Sequence, residues 1–129
     1  MYNLTFDTTG SSCSIILQKD TEVVCVYEKT MDFGQSEELM IQIQKILENN
    51  NIKFSDIEVL FVCVGPGSFT GVRIGAATVK GMAFGRDKAC VGVSTLRALA
   101  YNLRYMNGII CPVMNARRSQ VYTALFCSD

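Results

Sequence analysis

The sequence predicts an α/β fold in which one mixed sheet carries helices on its faces. The first quarter of the chain consists of short apolar runs separated by polar turns, and from about residue 36 the apolar residues take up helical spacing. Beyond that point strand-like and helical stretches alternate, as they do in right-handed strand–helix–strand crossovers. We therefore expect three antiparallel N-terminal strands within a mixed sheet, in a single domain over residues 1–129.

The three N-terminal strands are predicted at residues 4–7, 14–18 and 22–27. A polar turn over residues 8–12 separates the first two, and residues 19–21 form the next turn. The third run is β-branched and apolar, which favours a strand. Successive strands joined by such short turns form an antiparallel meander.

The first helix is predicted at residues 36–49. One face of it carries the apolar residues Leu39, Ile43, Ile46 and Leu47. Ser36 is suited to cap its first turn, and Glu37 and Glu38 suit the positive end of the helix dipole.

The rest of the chain alternates between strands and helices. We expect helices at residues 69–84, capped by Ser68, and from Ser94 or Thr95 to about Tyr105. Strands are expected at residues 59–64, 90–93, 109–114 and 121–126. This element order resembles the ribonuclease-H-like lobe of actin, hexokinase and the sugar kinases.

The composition argues against several classes of protein. Apolar residues make up 49% and charged residues 19% of the chain, a balance typical of globular domains. The 12 basic and 12 acidic residues cancel, so no net charge draws the chain to nucleic acid or to an anionic membrane. No apolar run approaches the ~18 residues of a membrane span, and the chain opens on a strand-like run rather than a leader, so we expect a cytoplasmic protein.

The cysteines and the missing histidine limit the chemistry. None of the 6 cysteines forms a C-x-x-C pair and most sit in apolar runs, so we expect small buried side chains in a reducing compartment. The chain has no histidine, which removes Ser–His and Cys–His nucleophile pairs and imidazole metal sites. A carboxylate site for Mg²⁺ and phosphoryl transfer stays open.

Two turns are candidates for anion binding. In the turn at Asp7, Thr8 and Thr9, an acidic residue at a strand end precedes hydroxyl side chains that can hold Mg²⁺ and phosphate oxygens; the alternative is a tight turn with a hydrogen-bonded aspartate. The glycine-rich turn that opens residues 65–75 leads into a helix start, where free N–H groups favour anions. It lacks the Gly-Lys-Ser/Thr of a P-loop, which favours a capped strand-to-helix turn.

The helix after that turn carries glycines where helices tolerate them poorly. Each interior glycine costs ~1 kcal/mol relative to alanine, so close packing must compensate. Gly71 and Gly75 share a face that Thr78 and Met82 extend. Such a smooth stripe suits close approach by another helix, either that of residues 36–49 or one from another subunit.

A third candidate is the turn that contains Arg117 and Arg118. Adjacent arginines can bind a phosphate or a partner's carboxylate, and the alternative is that they are solvated charges.

Taken together, these segments resemble the YeaZ/TsaB family. The resemblance rests on residues 65–75 (GPGSFTGVRIG), on residues 80–83 and 92–96 (KGMA and GVSTL), on Asp7-Thr8 and on residues 116–122. It covers essentially the whole chain and implies an actin/hexokinase-like (ASKHA) lobe.

The resemblance implies a subunit that is not itself an enzyme. Family members dimerise and pair with a catalytic paralogue, TsaD, once described as a glycoprotease, and the pair works with the ATPase TsaE to transfer threonylcarbamoyl to adenosine 37 of transfer RNA. ATP and Mg²⁺ would belong to the partner subunits, and transfer RNA would be contacted indirectly. Two metal-binding histidines of the paralogue correspond to Thr95 and Leu99, so no metal or cofactor is expected here.

The resemblance also indicates where subunits meet. We expect an interface for the homodimer and the paralogue on the first two helices, with the residues Leu39, Ile43, Leu47, Gly71, Arg73, Gly75, Thr78 and Met82. Asp7, Thr8 and Thr9 would remain as a vestigial phosphate site. Two features depart from the family: Asn115 and Gln120 replace the usual acids, and the usual second lobe is absent.

Three alternatives remain at this point. The chain could be an ATP-dependent phosphotransferase lobe with Asp7 on Mg²⁺, a glycoprotease-like metallopeptidase, or a dimeric domain of unrelated function. The lack of histidine argues against the peptidase.

Overall fold

A five-stranded mixed sheet organises the protein. The computed structural model describes residues 1–30 and 35–128. The strands are β1 (Tyr2–Asp7), β2 (Ser12–Lys19), β3 (Glu22–Thr30), β4 (Ile57–Gly65) and β5 (Ala89–Ser94), in the spatial order β3-β2-β1-β4-β5. The first three are antiparallel, whereas β1, β4 and β5 are parallel. The predicted mixed sheet with its antiparallel meander is confirmed.

Three α-helices accompany the sheet: α1 (Gln35–Asn49), α2 (Phe69–Ala83) and α3 (Thr95–Tyr101). Ser68 Oγ accepts from the N–H of Gly71, and Ser94 Oγ accepts from the N–H of Arg97, so both predicted caps are confirmed. The proposed Ser36 cap falls outside the described side chains. A short 3-10 helix at Phe54–Asp56 was not predicted.

The third helix ends four residues before the predicted end near Tyr105. Beyond Tyr101 the backbone turns more tightly: the N–H groups of Leu103 and Arg104 bond to the carbonyls three residues earlier, those of Ala100 and Tyr101. This pattern is common where helices end, and it closes α3 without a glycine.

The main core lies between one face of the sheet and the helices α1 and α2. It combines strand residues of alternating position with the inner faces of both helices, namely Leu4, Phe6, Ile15, Leu17, Leu60, Val62, Leu39, Ile43, Ile46, Leu47, Val79 and Met82. The period of two along the strands and the helical period along α1 therefore meet in one apolar layer. This layer fixes both helices against the sheet, and α2 starts beside the turn at the end of β1.

The chain closes with two small antiparallel pairs. Strand β6 (Gly108–Ile110) pairs with β9 (Phe126–Ser128), and β7 (Val113–Arg117) pairs with β8 (Gln120–Thr123). We predicted two longer strands here, and each is divided in two. On the first, the break falls at Pro112, which has no N–H to give to a ladder.

The expectation of buried cysteines is only partly correct. All six are free thiols, but Cys90 on the edge strand β5, Cys111 between β6 and β7, and Cys127 on β9 are exposed. Among the helices of the described residues, none is both long and apolar enough to cross a membrane.

Candidate functional site

The two turns singled out in the sequence lie against each other at the end of β1. The N–H of Ser68 donates to the carbonyl of Thr9 at 2.7 Å, so the glycine-rich turn before α2 rests on the turn after β1. The Thr8 hydroxyl donates to the carbonyl of Gly71, also at 2.7 Å, although 63 residues separate them. These bonds join the first strand to the start of α2.

The hydroxyl groups of this turn are engaged inside the protein. Thr8 and Thr9 are both buried. The backbone N–H and the hydroxyl of Thr9 both donate to Asp7 Oδ1 at 2.7 Å, as in a tight aspartate turn. The structure thus shows the tight turn with a hydrogen-bonded aspartate that was the alternative, and of the three residues only Asp7 is partly exposed. A vestigial phosphate site at these residues stays a prediction.

Glycine is required where the turns meet. A Cβ atom at Gly71 would lie 1.8 Å from the Thr8 carbonyl oxygen, and one at Gly67 would lie 2.5 Å from that of Thr9. At Gly75 the nearest atoms would be Val62 Cγ2 at 3.0 Å and Thr8 Oγ1 at 3.1 Å. The glycine stripe thus faces the end of the sheet. Gly71 and Gly75 are buried there, against the turn after β1 and against β4 rather than against α1. A contact of these glycines with another subunit stays a prediction.

A thiol lies beside the Asp7 carboxylate. Burial of the Cys63 side chain, reinforced by the negative charge of Asp7 and a hydrogen bond to it, raises the pKa of this thiol to about 12. The group is therefore protonated near neutral pH and can donate to the carboxylate, but it is no nucleophile there.

We expect alkylation to distinguish this thiol from the exposed ones. At about pH 8 iodoacetamide should modify Cys90, Cys111 and Cys127 in the native protein and leave Cys63 unmodified, because a raised pKa delays thiolate formation to higher pH and burial blocks access. Mass spectrometry of digests gives the extent at each position. In urea Cys63 should react as readily as the others, and equal native labelling would contradict the assignment.

The first turn of α1 is tied to the sheet by a charged hydrogen bond. The hydroxyl of Tyr27 on β3 donates to Glu38 Oε1 at 2.8 Å, and Gln42 donates to the same oxygen. These bonds, that of Tyr27 first, lower the pKa of Glu38, while burial and the Glu38 contact raise the pKa of Tyr27 to about 12. This pair positions α1 and leaves its outer side free of that carboxylate.

The structure divides the predicted interface residues into two groups. The buried ones belong to the core or to the turn contacts: Leu39, Ile43, Leu47, Gly71, Gly75 and Met82. Their buried position follows from apolar spacing, which marks the face of each helix that covers the sheet. That any of them also meets another subunit stays a prediction. Arg73 is exposed and Thr78 is half-buried, so both remain candidates.

The outer side of α1 and α2 carries apolar residues that sequence reasoning missed. Met40 is 47% exposed and Ile41 is 49% exposed, next to the core residue Leu39. A shallow groove of about 430 Å³ runs between the two helices, lined by Met40, Ala77, Thr78, Gly81, Met82 and Arg86. A Cβ at Gly81 would meet nothing within 4 Å, so this glycine faces outward. The sequence did contain a signal for this surface, because α1 carries apolar residues on the side that does not face the core.

The described structure offers little for metal chemistry. Within residues 1–30 and 35–128, no cluster of three or more histidine, cysteine, aspartate or glutamate side chains could hold a metal ion. Thr95 begins α3 and Leu99 is exposed on it. Neither side chain has an imidazole that could take the place of the histidines expected in the paralogue.

The arginine turn between β7 and β8 has an unusual backbone. Asn115 Oδ1 accepts from the N–H of Arg117, and Arg117, Arg118 and Ser119 all have positive φ angles, of 63°, 52° and 58°. Non-glycine residues seldom adopt this region, so three in succession were not foreseeable from composition. The turn projects both arginines as exposed side chains.

The sequence of the chain matches one protein family and its curated members. The family model of TsaD, tRNA N6-adenosine threonylcarbamoyltransferase, matches residues 34–127. The chain is 35% identical to the tRNA threonylcarbamoyladenosine biosynthesis protein TsaB of Bacillus subtilis, over 95% of this chain and 54% of the relative. It is 34% identical to TsaB of Escherichia coli, over 98% and 55%. The chain thus spans about half the length of the curated relatives it matches.

The fold has close counterparts among solved structures. YeaZ from Pseudomonas aeruginosa superimposes with a TM-score of 0.86, at 24% identity, over 98% of this chain and 60% of that one. At this identity the likeness establishes the fold, which is the ASKHA-like lobe expected from the element order.

Proposed function

Because the chain belongs to the YeaZ/TsaB family, we propose that it acts as a non-catalytic subunit in the synthesis of threonylcarbamoyladenosine at adenosine 37 of transfer RNA. The observation that carries this proposal is the apolar outer side of α1 and α2, at Met40, Ile41, Ala77 and Gly81. Exposed apolar patches of this kind are typical of protein–protein contacts. The catalytic partner is a TsaD-like paralogue.

The candidate chemical groups support a structural role. The hydroxyls of Thr8 and Thr9 are used in internal hydrogen bonds, which argues against a phosphotransferase built on this turn. Without histidine, and with Thr95 and Leu99 on α3, a metallopeptidase lacks its ligands. In our proposal ATP and Mg²⁺ bind to the partner subunits, including a TsaE-like ATPase.

The helical surface would serve two assemblies. A second copy of the chain and the TsaD-like paralogue would both dock on the groove between α1 and α2, with exposed Arg73 and half-buried Thr78 at its side. The homodimer and the heterodimer would then compete. We place this lobe at the N-terminal half of the two-lobed arrangement usual in the family, acting in the cytoplasm.

An Ile41→Arg variant tests the proposed surface. Ile41 is half-exposed, so the change should leave the fold intact while placing a charge in the apolar contact. We expect at least tenfold weaker capture of the TsaD-like paralogue and a loss of homodimer in sedimentation. The matched control is Val23→Arg, which places the same charge at an exposed apolar position on β3.

The two variants separate the possible outcomes. Unchanged thermal melting for both, with association lost only in Ile41→Arg, is the expected result. Normal assembly of Ile41→Arg would refute the proposed surface. Full threonylcarbamoyladenosine formation by the TsaD-like paralogue in the absence of this chain would refute the proposed function.

A further inference from the structure

Charge is strongly segregated along this chain, although its net charge is zero. Residues 88–128 contain five of the basic residues, Lys88, Arg97, Arg104, Arg117 and Arg118, and no acidic residue. The rest of the chain contains the other seven basic residues and all 12 acidic ones. From this segregation and the contacts below, we propose that α3 and the closing strands form a binding surface for single-stranded RNA.

An arginine just beyond α3 is stacked against two tyrosines. The guanidinium carbon of Arg104 lies 4.4 Å from the ring centre of Tyr101 and 4.3 Å from that of Tyr105. Both rings are largely open to solvent, Tyr101 at 64% and Tyr105 at 84% exposed. Stacked planar groups that are ordered but exposed suit the faces of unpaired bases.

Among the carboxylates that the structure describes, none is ion-paired with these arginines. Within residues 1–30 and 35–128, none of Arg97, Arg104, Arg117 and Arg118 forms an ion pair. Arg104 uses two of its N–H groups, on the carbonyl of Tyr101 and the hydroxyl of Tyr105, which leaves further donors for a phosphate. Lys88 is different, because its ammonium contacts the carbonyls of Ser55 and Ile57.

The arginine turn carries two more exposed cations of the same segment. Arg117 and Arg118 lie at the end of β7 and in the turn to β8, and both have left-handed backbone angles and exposed side chains. Between α3 and β6 runs an apolar groove of about 390 Å³ with Leu99, Leu103 and Ile109 in its lining. Basic groups that alternate with apolar and aromatic surface are typical of sites that follow an RNA strand.

RNA fits this surface better than an acidic protein. A carboxylate-rich partner would need cations but would gain little from two exposed tyrosine faces beside the arginine, whereas unpaired bases stack on them. The inference rests on the proposed function and deepens it: the substrate RNA of that pathway would touch this chain directly, where the family resemblance implied only indirect contact.

The test measures binding of an unmodified transfer RNA transcript, and of a short single-stranded RNA with its duplex, to the whole chain. We expect the single strand to bind more tightly than the duplex. Arg104→Gln with Arg118→Gln should weaken binding at least tenfold and lower the slope of log affinity against log salt by about 1.4, at about 0.7 per phosphate contact. Tyr105→Leu should weaken binding about tenfold at unchanged slope.

Matched variants keep the result interpretable. Lys19→Gln with Lys45→Gln removes the same charge from exposed positions in the acidic part of the chain and should leave RNA affinity unchanged. All these side chains are exposed, so thermal melting should not change. Both double variants thus remove two positive charges, from different parts of the chain.

Each other outcome overturns the inference. Equal RNA affinity in parent and Arg104/Arg118 variants, or no RNA binding by the parent chain, excludes the surface as an RNA site. Loss of TsaD-like paralogue capture with intact RNA binding would assign the arginines to a protein partner. The Ile41→Arg experiment reports on the proposed function independently, since Ile41 lies on α1.

Discussion

A Gly71→Ala variant is expected to lose about 3 kcal/mol or more of its free energy of unfolding. The added methyl carbon would lie 1.8 Å from the Thr8 carbonyl oxygen and 2.9 Å from the Thr8 carbonyl carbon. Both are backbone atoms, so no side-chain rotation relieves the overlap, and α2 must move away from the end of β1. That movement would also break the bond from the Thr8 hydroxyl to the Gly71 carbonyl.

Gly81→Ala on the same helix is the matched control. It is the same chemical change, but a Cβ at Gly81 meets nothing within 4 Å. We expect this variant to be more stable than the parent by roughly 0.5–1 kcal/mol, because alanine favours a helix interior. Urea denaturation of both variants gives the comparison, and similar shifts in the two would contradict the contact at Thr8.

The sequence was sufficient for the sheet and for the start of two helices because local signals there agree with the packing. Alternating apolar residues gave the strands of the meander, and Ser68 and Ser94 cap the helices that follow them. The closing strands were harder to predict from the sequence. They are short and lie outside the main sheet, so no buried face imposed a strict alternation on them.

The glycine stripe shows why the candidate site was harder to predict. Helical spacing correctly indicated that Gly71 and Gly75 face something close, but spacing carries no information on what that neighbour is. The neighbour is the backbone of Thr8, brought there by the parallel pairing of β1 with β4, a contact across more than 60 residues. Long-range pairing of this kind has no local signature in the chain.

Charge illustrates a second limit. A zero net charge predicted no attraction to nucleic acid, yet the acidic residues avoid residues 88–128 entirely. Fields act over about 10 Å at moderate salt, so a surface responds to its own charges and not to the sum over the chain. The charged residues of each segment could have been counted from the sequence. That Arg104 stacks against two exposed tyrosines is shown only by the structure.

The placement of α1 yields the second large effect. Leu39 has no exposed surface and belongs to the core between the helices and the sheet. We expect Leu39→Ala to lower the free energy of unfolding by about 2–5 kcal/mol, because it removes buried methyl groups and leaves a cavity. Met40→Ala, one residue later and 47% exposed, should change stability by no more than about 0.5 kcal/mol.

Association should respond in the opposite order, which distinguishes the two faces of the helix. At temperatures where the Leu39→Ala variant is folded, its outer surface is unchanged and it should still assemble. Met40→Ala removes part of the groove lining and should weaken assembly. Chemical denaturation and sedimentation of both variants test the pair. If Leu39→Ala unfolded like the parent but failed to associate, Leu39 would belong to the intersubunit contact, and the inner and outer faces of α1 would be exchanged.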